Sequence, residues 1–98
     1  MRRNNVATKK IKRFCYRFLF TIKGIRPNYY QLSSLDQKHI IDVFESEYFK
    51  DSFSIDIRLS GKTVKTVSLI EQNVNTIDNA ILSGIDQYKN LMKGNVNG

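Results

Sequence analysis

The sequence predicts an α+β domain: a small antiparallel sheet covered on one face by two helices, in the order β-α-β-β-α. Three observations carry this expectation. A run of alternating apolar and polar residues, Phe53 to Leu59, has strand periodicity, and a long stretch near the C-terminus has helical periodicity. A serine–glycine pair, Ser60-Gly61, separates two β-rich runs as a hairpin turn would.

The first element is the ambiguous one. Across Ile11 to Ile22, residues Ile11, Phe14, Cys15, Phe18, Leu19 and Ile22 make a helical stripe, while Phe14, Tyr16, Phe18, Phe20 and Ile22 make a strand face. Aromatic enrichment and the stop at Gly24 favour the strand. The alternative is an amphipathic helix, which changes the order to α-α-β-β-α. The Gly24-to-Tyr30 segment around Pro27 is expected to be an exposed loop.

A helix is expected from Leu35 to about Phe49, because Ser34-Leu35-Asp36-Gln37 has capping-box form and Ile40, Ile41, Phe44 and Tyr48 provide a stripe. The strand at Phe53–Leu59 should pair with a return strand over about Lys62 to Ile70. A turn at Ser60-Gly61 sets Asp56 opposite Lys65 in solvent and Ile57 opposite Val64 in the core. The last helix carries Ile77, Ala80, Ile81, Gly84, Ile85, Tyr88, Leu91 and Met92 on one face, is capped by Thr76, and should stop at Lys93-Gly94. Residues 1–8 are expected to be a flexible basic arm, 9–94 a single domain, and 95–98 a frayed tail.

Composition bounds the function. The 98 residues are 41% hydrophobic and 26% charged, as in an ordinary globular chain, and no apolar run reaches the length of a membrane span. One cysteine excludes an internal disulfide and suits a reducing, cytoplasmic setting. A basic start without early serines or a cleavage site fits neither a signal nor a transit peptide well. Eleven Ile, ten Lys and nine Asn against two Ala hint at AT-rich coding sequence, as in phages and mobile elements.

The charge is unevenly placed. Of a net +7, residues 1–35 carry nine cations and no acid, which is +9, whereas residues 36–98 carry seven cations and nine carboxylates, which is −2. Such asymmetry points to a polyanionic partner. Lys9, Lys10, Lys12, Arg13, Arg17, Lys23 and Arg26 can neutralise phosphates, and Tyr16, Tyr29 and Tyr30 can offer stacking surfaces.

Catalytic motifs do not assemble. Gly61-Lys62-Thr63 matches the end of a phosphate loop but lacks the earlier glycine and the following helix. His39 and Asp36 are three apart, yet the only thiol, Cys15, sits among Phe14, Tyr16 and Phe18 like a small core residue. One His and one Cys exclude an ordinary zinc site, and the carboxylates have no metal-binding spacing. The expectation is a non-enzymatic binding protein without cofactors, acting on nucleic acid or a nucleic-acid-processing machine through its basic segment. The alternative is an inhibitor or adaptor of phage or mobile-element type that docks on the acidic surface of such a machine. Neither requires insertion into a membrane.

Overall fold

The structure is a computed structural model that describes residues 5–48, 52–70, 74 and 76–97. It is an α+β domain with the order α-β-β-β-β-β-α. The elements are α1 (Asn5–Phe18), β1 (Phe20–Arg26), β2 (Tyr29–Ser34), β3 (His39–Glu45), β4 (Phe53–Leu59), β5 (Lys62–Ser68) and α2 (Ile77–Asn97). The five strands form one antiparallel meander in chain order. Both helices lie on one face of it, with the core between.

The expected order is corrected at its start and middle. The dual periodicity of 11–22 arises because the stretch belongs to two elements. α1 ends at Phe18, Leu19 takes φ 60°, and β1 begins at Phe20. The amphipathic-helix alternative therefore describes the first element. Of the expected arm, residues 1–4 lie outside the described residues, and Asn5–Thr8 form the first turn of α1.

The expected loop at Gly24–Tyr30 is instead a hairpin corner between β1 and β2. The proline ring restricts φ at Pro27 to about −65°, and Asn28 takes φ 62°, which suits the positive-φ position of a type II turn. The expected helix at 35–49 is a turn followed by β3; Phe49 itself lies outside the described residues. The capping-box residues serve the turn. Asp36 Oδ1 accepts the Ser34 hydroxyl at 2.7 Å and the Lys38 N–H at 3.0 Å, and Gln37 sits at φ 61°. β-branched Ile40, Ile41 and Val43 then favour the extended chain.

Register sorts the two faces. Leu32, Ile41 and Ile57 form one apolar row across β2–β4, and Tyr30, Val43, Ile55 and Val67 form the next. Leu32, Ile41, Val43, Ile55 and Ile57 are fully buried beneath the helices. The opposite face carries the polar row Lys23, Gln31, Asp42, Asp56 and Thr66. Of the expected helix stripe, Ile41 alone reaches the core, and Tyr48 is exposed.

The turn at Ser60-Gly61 has both residues at positive φ, as a two-residue type I′ hairpin requires. The register beyond it is corrected by a bulge. After Arg58↔Thr63 the pairing shifts, so Ile57 faces Lys65, Asp56 faces Thr66, and Val64 is 46% exposed. The shift places Val67 opposite Ile55, where it packs half-buried against the core in place of the valine that the unbulged register would have turned inward.

α2 follows the expected face, with Ala80, Ile81, Gly84, Ile85 and Tyr88 buried. Thr76 caps it: its Oγ1 accepts from the Asn79 N–H at 3.4 Å, and its carbonyl accepts from Ala80 N–H at 3.0 Å. The stop at Gly94 is corrected, because the helix continues to Asn97. At Gly84 the helix comes closest to the sheet, where a Cβ would stand 3.1 Å from Ile41 Cγ2 and 3.3 Å from Val43 Cγ2.

Candidate nucleic-acid interface

α1 separates its side chains sharply. Ile11 and Phe14 are buried and Cys15 half-buried, while Lys9, Lys10, Lys12, Arg13, Tyr16 and Arg17 are exposed. At 100° per residue these six exposed positions span an arc of ~160°. The arc contains five cations and no acid. Arg17 in the last turn also suits the negative end of the helix dipole.

What seats the helix is aromatic. Phe14 stacks on Phe18 at 4.8 Å, meets Phe20 of β1 at 5.0 Å, and meets Tyr88 of α2 edge-on at 6.0 Å. Ile11 and Ile81 meet at one end of the helix pair, and Arg17 stands near Lys89 and Lys93 at the other, so α1 and α2 run in the same direction. Between them lies a groove of about 310 Å³ whose rim carries Lys10, Arg13, Arg17 and Lys89, with Asp86 as its one acid. Lys89 Nζ lies 5.9 Å from the centre of the Phe18 ring. A shallower hollow continues the groove past Arg17 and Lys89 to Lys93.

The expected binding residues thus divide. Lys9, Lys10, Lys12, Arg13 and Arg17 share the face of α1. Lys23 and Arg26 belong to β1, where strand alternation turns Lys23 to the opposite face, and Arg26 lies 5.3 Å over the ring of Tyr29. Tyr29 is half-buried on that far face. Its hydroxyl donates to Asp42 Oδ1 at 3.2 Å, and its ring meets Phe44 edge-on. Burial, aided by the Asp42 charge, raises the pKa of this hydroxyl. Tyr30 points the other way and packs on the core, its ring 3.3 Å from where a Cβ on Gly24 would sit. Tyr29 and Tyr30 therefore form no joint stacking surface.

Sequence reasoning missed Lys89 and Lys93. Their i,i+4 spacing puts them on one side of α2, but only the pairing of the first helix with the last brings them to Arg17.

The far face of the sheet is organised around Asp42, which is 6% exposed. Its carboxylate accepts from Gln31 Nε2 at 2.9 Å, from Tyr29, and from the Arg58 guanidinium at 2.8 Å. Asp56 stands directly opposite Asp42 across β3 and β4, and Arg58 offsets the repulsion between them. Cys15 is half-buried and its thiol pKa is raised by desolvation, the reverse of an activated thiolate. His39 lies on β3, bonded to Tyr88, and not on a helix beside Asp36. Among the described residues no helix is long and apolar enough to cross a membrane.

No protein-family model, curated protein or solved structure matches this chain.

Proposed function

We propose that this chain is a small non-enzymatic nucleic-acid-binding protein that applies the outer face of α1, extended by Lys89 and Lys93 of α2, to a phosphate backbone. The observation that carries the reading is the grouping of Lys9, Lys10, Lys12, Arg13 and Arg17 on one exposed helical arc without an acid. Among the described residues the ion pair is Arg58–Asp42, on the other side of the sheet, so the helix cations remain available to a ligand. Affinity from such a face is mainly electrostatic and comes with release of condensed counterions. The one thiol, Cys15, suits action in a reducing compartment such as the cytoplasm.

The test is a salt titration of binding to DNA and RNA, single- and double-stranded. The logarithm of affinity is expected to fall linearly with the logarithm of salt, by ~0.7–0.9 for each phosphate neutralised. Charge reversal at Lys10, Arg13 and Arg17 should abolish binding and leave the far-UV spectrum unchanged. If no nucleic acid binds below millimolar at low salt, the reading is wrong, and the basic face belongs to an adaptor that docks on an acidic protein surface.

A further inference from the structure

We infer that the nucleic acid is double-stranded DNA and that α1 lies in its major groove. This rests on the nucleic-acid reading above and adds the form of the ligand and the way it is held.

Proteins that track single strands stack successive bases on a row of aromatic rings inside a basic channel. Here the rings are elsewhere. Tyr29 is tied to Asp42 on the far side of the sheet, Tyr30 is packed into the core, and Phe14 is sealed between α1, β1 and α2. On the cationic side Tyr16 is 87% exposed and Phe18 partly so, with Phe18 stacked against Phe14 and flanked by Lys89. A lone free ring makes no platform for consecutive bases.

The shape of the face is convex. α1 has 14 residues, so it is a rod of ~21 Å, and with side chains it measures ~10–12 Å across. The major groove of B-form DNA is about 12 Å wide and admits one helix; the A-form major groove of duplex RNA is deep and too narrow for side chains to read. The order of residues around the arc fits entry into a groove with two charged walls. Arg13, Lys9 and Tyr16 occupy the crest, Lys12 lies at one margin, and Lys10 and Arg17 lie at the other. Crest residues face base edges while marginal cations face the two phosphate strands. Lys89 and Lys93 extend the second margin toward the next phosphates of the same strand. Tyr16, uncharged and central, supplies the apolar contact a thymine methyl can take.

The experiment uses the full chain with a 20-base-pair DNA duplex, the RNA duplex of the same sequence, and each single strand at matched salt. Dimethyl sulfate probing of guanine N7 reports on the major groove. The expected result is DNA duplex binding at least about tenfold tighter than RNA duplex, with N7 protected over a short footprint. Tyr16→Ala should weaken DNA duplex binding by about three- to tenfold without altering the salt slope, whereas Arg17→Gln, at the phosphate-facing margin, should reduce that slope by about one. Equal or tighter binding of the RNA duplex or a single strand, or guanines as reactive as in free DNA, overturns the inference and leaves general nucleic-acid binding standing. Absence of binding to every nucleic acid overturns both.

Discussion

The Nδ1 atom of His39 lies 2.6 Å from the hydroxyl of Tyr88, a hydrogen bond that ties the first residue of β3 to the buried side of α2. The phenol ring beneath it touches Phe14, Phe20 and His39, so one side chain joins both helices and the sheet. Tyr88 is 4% exposed, and burial raises its pKa, as it does that of Tyr29. Tyr88→Phe keeps the ring and strands the imidazole, which should cost about 1–2 kcal/mol in chemical denaturation. The pH dependence has a definite sign. A hydroxyl whose pKa is raised on folding contributes its full stability below the unfolded value of ~10 and loses it as pH rises through the higher folded value. Wild-type stability should therefore decline above about pH 10, and the Tyr29→Phe, Tyr88→Phe pair should flatten that decline.

Removing the carboxylate at Asp42 leaves the Arg58 guanidinium, the Gln31 amide and the Tyr29 hydroxyl without their shared acceptor. Asp42→Ala is expected to destabilise the fold by about 1–3 kcal/mol, moderated because Arg58 is partly solvated. Because this network lies across the sheet from α1, nucleic-acid affinity measured well below the melting temperature should not change. A loss of affinity equal to that of Arg17→Gln would show that the far face takes part in binding.

Gly84 allows α2 to rest directly on Ile41, Val43 and Ile55. Alanine would gain about 1 kcal/mol of helix propensity, but its methyl group would stand 3.1 Å from Ile41 Cγ2, so a neighbour must give way by a few tenths of an ångström. Gly84→Ala should therefore fall within about 1 kcal/mol of wild type, whereas Gly84→Val should cost about 2–3 kcal/mol or more by overpacking. Thermal melts of both variants distinguish a close approach from ordinary helix propensity.

Leu19 holds φ 60° in the single-residue link between α1 and β1, and its side chain is largely exposed. A leucine in the left-handed region is strained by about 1 kcal/mol, and asparagine tolerates it far better. Leu19→Asn is expected to raise stability by about 0.5–1 kcal/mol, read as a melting temperature a few degrees higher. An unchanged or lower melting temperature would mean that Leu19 contributes packing its exposure does not reveal.

The legible parts of this chain are those where a single period holds from end to end. α2 repeats its apolar residues every three to four positions from Ile77 to Met92, and β4 alternates Phe53, Ile55, Ile57 and Leu59 with polar neighbours. β3 was hidden because Ile40, Ile41 and Phe44 also fit a helical stripe, and because Ser34 and Asp36 suit a cap and a turn equally well. β2 was hidden because its two tyrosines serve opposite faces, one polar and one buried, and so break the alternation. The bulge near Val64 depends on which valine the helices cover, which no local pattern records. At the candidate interface the five cations of α1 are legible as charge. Their separation from Lys23, Arg26 and Tyr29 depends on where the helix ends, and the addition of Lys89 and Lys93 depends on contact between the two ends of the domain.

The pairing of the first element with the last governs how the domain is made. α1 leaves the ribosome with Ile11, Phe14 and Phe18 unsheltered, because Ile85 and Tyr88, which cover them, belong to α2 and are synthesised only after all five strands. At ~5–20 residues per second the basic helix waits roughly 4–16 s for that partner. During synthesis the sheet can zip strand by strand, since every pairing joins neighbours in the chain, but the helix layer can close only after α2 has emerged. A nascent chain halted before Tyr88 therefore presents an apolar stripe and a cationic face together, which makes it a substrate for chaperones and proteases.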